Sequence, residues 1–287
     1  MVFRAETLID RAFPVIRQAY STPEAILYAL GLGCGADPTD AKGLAFVYEE
    51  GLAVLPTFAT VLAAPGFWAK EDDTGVDWRK VLHGEQGVVL HKPLPVSAEV
   101  EGRLRITSIV DRGEKGAFIY QDREIADAKT GALLATLSSL TIARGDGGCG
   151  DAGPPPKPVT TPFEPDRTPD QTVTLPISKR AALIYRLSGD FNPLHADPNV
   201  AKSAGFAAPI LHGLCSFGMA CRAVVETVCD YDPSRLKAFS ARFSKPVFPG
   251  ETLLIDLWRE GDRVRFQARV AERDLVALSQ GEAVITD

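Results

Sequence analysis

Residues 185–218 read YRLSGDFNPLHADPNVAKSAGFAAPILHGLCSFG, and this stretch is the most informative part of the chain. A helix leads into it, with Ser178 as its cap and Gly189 as its stop, and a short helix starts at Asp197-Pro198. A longer helix follows Gly213, since apolar residues recur there at helical spacing. The segment between the first two helices is a polar loop, and loops on a rigid scaffold commonly carry functional side chains.

Outward from this stretch, the chain divides into two similar halves. A run rich in glycine and proline separates them, and such a run continues neither a helix nor a central strand. We therefore predict a first repeat over residues 1–145, a linker over residues 146–170 and a second repeat over residues 171–287.

Both halves follow the same order of elements. STPEAILYALG at 21–31 predicts an early helix in the first half, with Ser21 before it and Gly31 as its stop. HKPLPVSAEVEGRLRI at 91–106 and SKPVFPGETLLIDL at 244–257 each place a Lys-Pro pair before a strand pattern. The pattern predicts an α+β fold, in which each half wraps a curved antiparallel sheet around one helix. Duplication then predicts that the two sheets meet edge to edge or face to face.

Composition excludes several classes of protein. The net charge of -6 and the pI of about 5.4 argue against a nucleic-acid partner, which requires a basic surface. No apolar run approaches the roughly 20 residues that span a bilayer, so we expect no membrane partner. The N-terminus lacks a secretory signal and the C-terminus lacks a receptor-read address, which together predict a cytoplasmic location.

The sequence gives no sign of a metal site or a disulfide framework. The five cysteines are odd in number and have no C-x-x-C spacing. The four histidines form neither H-x-x-x-H nor H-E-x-x-H. We therefore expect no metal and no separate cofactor.

The polar loop contains an acid, an amide and an imidazole at close spacing: Asp190, Asn192 and His195. A carboxylate and an imidazole held together can share one water, and imidazole accepts a proton near neutral pH. Asn192 can hold the geometry, although Asp190 and Asn192 also suit a simple turn. Gly213 at the start of the long helix offers a free N–H to a developing negative charge, or only a tight entry turn.

The same residues carry a family resemblance. The 185–218 run resembles the signature of MaoC-like, (R)-specific enoyl-CoA hydratases of the hydratase-2 type, as found in peroxisomal multifunctional enzymes. Further segments are similar to that family: Tyr28–Gly31, His83–Gln86, Lys92–Pro95 and Phe243–Gly250. The resemblance covers nearly the whole chain and implies a double hot-dog fold, with a degenerate first half that accommodates long acyl chains.

The resemblance also implies roles for individual residues. Asp190 and His195 activate the water, Asn192 supports them, and Gly213 binds the thioester carbonyl. The resemblance further places His83, Gly84 and Phe243 around the acyl-CoA, together with one basic residue that contacts the cofactor portion, either Arg112 or Lys115. The CoA belongs to the substrate, so these assignments require no additional cofactor.

Aligning the two repeats predicts one active site per chain. When Tyr28 is placed on Tyr185, the positions of Asp190, Asn192 and His195 are occupied in the first repeat by Gly33, Gly35 and Pro38. The first repeat therefore lacks all three reactive groups.

The predicted function is a hydro-lyase that adds water reversibly to a trans-2-enoyl-CoA to give the (R)-3-hydroxyacyl-CoA, in fatty acid β-oxidation. An acyl-CoA thioesterase and a non-catalytic acyl-CoA-binding hot-dog protein are the alternatives. Hot-dog sheets usually associate, so we expect a homodimer. The sequence leaves open the acyl chain, the physiological direction and the proton that each group moves.

Overall fold

The computed structural model describes residues 3–286, so residues 1, 2 and 287 of the predicted division lie outside the described residues. The helices are α1 (Ala5–Ile9), α2 (Thr22–Gly31), α3 (Ala181–Tyr185), α4 (Pro198–Ser203) and α5 (Gly213–Thr227). The strands of the first half are β1 (Ile16–Tyr20), β2 (Val81–Leu90), β3 (Ala98–Asp111), β4 (Ala117–Asp127) and β5 (Leu133–Ala143). Those of the second half are β6 (Gln171–Pro176), β7 (Leu236–Phe243), β8 (Thr252–Glu260), β9 (Arg263–Val270) and β10 (Leu275–Ile285).

All ten strands form one antiparallel sheet in the order β1-β3-β4-β5-β2-β7-β10-β9-β8-β6. Each half supplies five adjacent strands in the same relative order, and the halves join through β2 and β7. In this seam Glu85 pairs with Arg242 and Val89 with Ala238. The two sheets therefore meet edge to edge, and the α+β prediction is confirmed.

The central helix of the second half is α5. Most of its residues are buried, including small residues such as Cys215, Gly218 and Ala220. A side-chain carbon at Gly218 would lie 2.7 Å from Leu32, so glycine there lets α5 pack closely against the end of α2. The corresponding part of the first half is only a 3₁₀ helix, Pro56–Val61. The prediction of one wrapped helix per half is therefore wrong for the first half. Pro56, β-branched residues and the positive φ of 44° at Ala63 explain why no long helix forms there.

The early helices agree with the prediction in one half only. α2 covers Thr22–Gly31, and the Glu24 carboxylate accepts a hydrogen bond from the Ser21 N–H at 2.9 Å. In the second half, however, α3 begins at Ala181 rather than directly after Ser178. The Ser178 hydroxyl instead accepts from the Arg180 N–H at 3.2 Å, in a turn that precedes the helix.

Residues 146–170 form neither a helix nor a strand, but they pack on the sheet. Ala152 makes an isolated bridge with Ile109, and the Thr160 hydroxyl lies 3.0 Å from the Gln280 amide oxygen. No helix in the described part of the chain has the length and apolar character needed to span a membrane.

Candidate active site

The polar loop after α3 is organised by its own side chains. Gly189 has a φ of 120°, which ends the helical turn in a conformation that favours glycine. The Asp190 carboxylate accepts from the Asn192 N–H at 3.1 Å, and the Asn192 side chain accepts from the Leu194 N–H at 3.1 Å. Asn192 thereby caps the 3₁₀ turn Pro193–His195 and orients the residue that carries the imidazole.

His195 is held as a neutral base. Its side chain is almost fully buried, and Nδ1 lies 2.9 Å from the carbonyl oxygen of Ile210. A carbonyl only accepts hydrogen bonds, so we assign the proton to Nδ1, which leaves the lone pair on Nε2. Burial lowers the pKa of His195 below its ordinary value, partly offset by the Ile210 carbonyl and by Asp190.

His212 completes the cluster, a membership that the spacing of the sequence did not indicate. Its ring stacks on that of His195 with centroids 3.8 Å apart, and Nε2 donates to the backbone oxygen of Asp190 at 3.1 Å. Its Nδ1 is buried and has no protein partner in the described chain. Burial and the nearby His195 lower the pKa of His212 as well, so both rings are neutral at pH 7.

Asp190, His195 and His212 each offer one oxygen or nitrogen atom within 4.8 Å of the other two. The chain therefore brings together the acid and the imidazole that the sequence predicted, and adds a second imidazole. Such a group has the composition of a metal site, which the spacing of the histidines along the chain did not indicate.

Gly213 is the first residue of α5, where backbone N–H groups have no partner within the helix. A side-chain carbon at this position would lie only 3.2 Å from ring carbons of Phe243, at the end of β7. The Phe243 ring in turn lies 4.6 Å from the ring of His83 on β2. The start of α5 thus contacts Phe243, which contacts His83 across the seam between the two halves. In the chain, Gly213 directly follows His212, whose ring contacts the backbone of Asp190.

His83 and Gly84 have different surroundings. The His83 side chain is exposed, and its ring packs against that of Phe243. Gly84 is buried, and a side-chain carbon there would approach Ile142 to 2.9 Å. Glycine at this position allows β2 to pack against β5, a structural reason for its presence.

Arg112 and Lys115 lie apart from the cluster, in the turn between β3 and β4. Both are exposed, and the Arg112 guanidinium lies 5.8 Å from the ring of Phe118. Their turn lies at the same end of the strands as His83. The start of β4 is two strands from β2, and neighbouring strands are about 4.8 Å apart. Either residue remains a candidate contact for the distant part of an extended substrate.

The sequence pattern indicated neither Tyr185 nor His212 as part of this site. The Tyr185 ring lies 5.0 Å from that of His212, and the buried Tyr185 hydroxyl has no protein partner in residues 3–286. Desolvation raises its pKa well above the ordinary value, so it stays a neutral hydroxyl on a ring that packs against His212. The only sequence signal for Tyr185 was its alignment with Tyr28 in the first repeat.

Comparison with known proteins identifies the same family in both halves. Residues 18–145 match the MFE-2 hydratase 2 N-terminal domain, and residues 160–280 match the MaoC like domain. The peroxisomal enoyl-CoA hydratase 2 of Arabidopsis thaliana is 36% identical over 291 residues, covering 96% of this chain and 94% of that protein.

Solved structures confirm the fold. A MaoC-like dehydratase from Phytophthora capsici superposes with a TM-score of 0.86 at 34% identity, over 98% of each chain. A Mycobacterium tuberculosis protein described as having a double hotdog fold has a TM-score of 0.61 at 13% identity, which concerns the fold alone. The predicted double hot-dog architecture is confirmed, and the chain belongs to the MaoC-like hydratases of the enoyl-CoA hydratase 2 family.

Proposed function

We propose that the chain is a hydro-lyase that adds water to a trans-2-enoyl-CoA and forms the (R)-3-hydroxyacyl-CoA. The observation that carries this proposal is the shared cluster of the Asp190 carboxylate and the neutral His195 imidazole. The Arabidopsis relative, named an enoyl-CoA hydratase 2, is similar over nearly the whole chain and supports the same reaction class.

The reaction follows from the positions of three groups. The substrate thioester oxygen accepts a hydrogen bond from the Gly213 N–H at the start of α5, where the helix dipole favours negative charge. A water between Asp190 and His195 attacks C3, and Nε2 of His195 takes its proton. The C3–O bond forms as the C2–C3 double bond breaks. The electron pair of that double bond passes to C2. The proton that His195 took from the same water then reaches C2, directly or through the Asp190 carboxylate, and the imidazole returns to its neutral form, so one H₂O is added in total.

The substrate class follows from the loss of chemistry in the first half. Gly33, Gly35 and Pro38 replace the reactive groups there, and a 3₁₀ helix replaces the long central helix. The space near that short element suits a medium, long or bulky acyl chain. We therefore expect kcat/KM to rise from crotonyl-CoA to decenoyl-CoA.

The proposed activity is tested by mixing the protein with trans-2-decenoyl-CoA and following the enoyl-thioester absorbance, with a thiol reagent in a parallel sample. Hydration predicts loss of the absorbance without free CoA, and chiral analysis should give the (R) product. Release of CoA would indicate the thioesterase alternative, which the family relationship does not favour. No change in either signal would indicate a non-catalytic acyl-CoA binder.

We also propose that the reaction needs no metal or other cofactor, although three potential ligands lie close together. The unpaired lone pairs on the two imidazoles suit proton transfer as well as metal binding. Exhaustive dialysis against a chelator should leave kcat unchanged. A loss of activity that one divalent metal restores would contradict this part of the proposal.

Assembly and location are further parts of the proposal. We propose a homodimer, testable by sedimentation equilibrium, and a role in fatty acid β-oxidation. We also propose a cytoplasmic location for the protein. The Arabidopsis relative is named peroxisomal, so a fluorescent fusion that collects in peroxisomes would contradict the cytoplasmic location.

A further inference from the structure

A cavity of about 440 Å³ lies away from the catalytic cluster, at the other end of the β2–β7 seam. Its lining includes Leu90 at the end of β2 and Leu236 at the start of β7. His83 and Phe243 mark the catalytic end of the same two strands. Seven strand residues separate the two ends, about 24 Å at the usual rise.

The internal repeat relates this cavity to the active site. We align the repeats by placing Lys92-Pro93 of the first on Lys245-Pro246 of the second. In this alignment Leu90 corresponds to Phe243, and His83 corresponds to Leu236. His83 and Phe243 face each other in the active site, while Leu90 and Leu236 both line the cavity.

The cavity extends to the part of the first repeat that corresponds to the start of α5. The spacing that matches Tyr28 with Tyr185 places Pro56 at the position of Gly213, and Pro56 also lines the cavity. Leu90, Leu236 and Pro56 therefore relate this cavity to Phe243, His83 and Gly213 of the active site, whereas Gly33, Gly35 and Pro38 do not line it.

This first-repeat position has lost the means of catalysis. Its counterparts of the acid, the amide and the imidazole are Gly33, Gly35 and Pro38. Pro56 has no N–H, so it cannot donate to a thioester oxygen as Gly213 can. Nevertheless, side chains have not filled the space, and its volume is typical of ligand pockets.

The lining combines an apolar wall with positive charge. Val54, Leu90 and Leu94 are among its apolar residues, and Lys92 and Lys237 contribute ammonium groups. Within residues 3–286 neither lysine forms an ion pair, and the Lys237 ammonium donates to the Ser234 carbonyl at 2.8 Å.

The one carboxylate in the lining is already engaged. Asp232 accepts a hydrogen bond from the Ser234 N–H at 2.9 Å, and its pKa is lowered by the Ser234 side chain, by this N–H and by the charges of Arg235 and Lys237. Two ammonium groups thus face one carboxylate in the lining, which leaves the cavity with a net positive charge for a ligand. Apolar walls with unpaired ammonium groups suit an apolar chain joined to an anionic headgroup.

We propose that this cavity is a second, non-catalytic binding site for an acyl chain with an anionic headgroup. This ligand belongs to the same chemical class as the proposed substrate. The choice of a CoA thioester as the probe therefore rests on the proposed function. A fatty acid and an acyl-CoA share this chemistry. Binding here leaves the acid/base cluster free, so the site can respond to acyl chains without hydrating them.

Calorimetric titration with decanoyl-CoA, which has no double bond to hydrate, tests the proposal on the full chain. The wild-type protein should bind two molecules per chain. Lys92→Glu/Lys237→Glu should weaken one event by at least about tenfold, because both charges at the headgroup are reversed, while turnover stays unchanged. The matched control Lys129→Glu/Lys157→Glu alters two exposed lysines outside the cavity and should retain both events.

A second variant removes the space instead of the charge. Ala53 lines the cavity, and Ala53→Phe should abolish the same event with thermal unfolding close to wild type. Decanoate that displaces only this event would identify a carboxylate as sufficient, whereas no displacement would show that the CoA phosphates are required.

A single binding event in the wild-type protein would overturn the proposal, as would two events in both variants. It would also be overturned if the lysine variant only raised KM for long enoyl-CoAs, since the cavity would then hold the tail of the substrate. The binding measurements do not depend on hydration activity. A failure of the proposed reaction can therefore be distinguished from a failure of the proposed second site.

Discussion

At the scale of single residues, the protonation of His195 controls the proposed reaction. Burial lowers its pKa, so the neutral base persists below the ordinary histidine value of about 6.5. We predict that kcat/KM is constant near neutral pH and falls only in acid, with an apparent pKa below that value. A pH profile with decenoyl-CoA measures it. An acid limb above pH 6.5 would mean that another group is the base.

The reactive groups of the loop could be predicted from the sequence, but the complete set of residues in the candidate site could not. Asp190, Asn192 and His195 lie within six residues, so their proximity follows from the chain itself. His212 stacks on His195 only because the loop folds back onto the start of α5. Gly84 was predicted around the substrate, whereas its contacts explain a packing role that only the neighbouring strand reveals.

At the scale of elements, the proposed mechanism assigns the hydrogen bond to the thioester to the start of α5. Gly213→Pro removes that N–H, and proline is tolerated at the first helical position. The preceding His212 has φ -57° and ψ 133°, a conformation compatible with a following proline. Gly213→Ala keeps the N–H but adds the same crowding against Phe243, so it is the matched control.

We predict that Gly213→Pro has a kcat about 10²–10³-fold lower than that of Gly213→Ala, the loss typical of one oxyanion donor. Steady-state kinetics with circular dichroism as a check on α5 would measure it. Equal activity of the two folded variants would remove the Gly213 N–H from the mechanism.

Element boundaries show where the sequence was insufficient. The α2 helix follows from its Ser21 and Glu24 signals, which act within one turn. Helix α3 starts later than the sequence predicted because Ser178 closes a local turn. Local features limit the length of the 3₁₀ helix Pro56–Val61, but its contact with α5 of the second half is a tertiary relation that no local pattern contains.

At the scale of the whole molecule, the β2–β7 seam joins the halves, and an ion pair crosses it. Arg242 donates to Glu85 from Nε at 2.9 Å and from Nη2 at 2.6 Å. The Glu85 side chain is 6% exposed and that of Arg242 is 47% exposed. Duplication predicted that the sheets would meet, but the choice of edges over faces depends on such pairings between distant residues.

We predict that Arg242→Met lowers the free energy of unfolding by about 1–3 kcal/mol, because it leaves a buried carboxylate without its partner. The partial exposure of Arg242 lets water reach the pair and favours the lower end of that range. Glu85→Gln/Arg242→Met should recover much of the loss in urea denaturation. Additive losses in the double variant would show that the two side chains do not stabilise the seam together.

The central claim is that Asp190 and His195 act on one water as a unit. Its most direct test is kcat/KM for decenoyl-CoA hydration by Asp190→Asn, His195→Gln and the double variant. We predict that each single variant loses at least about 10²-fold, and that the double variant is about as active as the weaker single one. Near-normal hydration by either single variant, or losses that multiply in the double variant, would contradict the shared site.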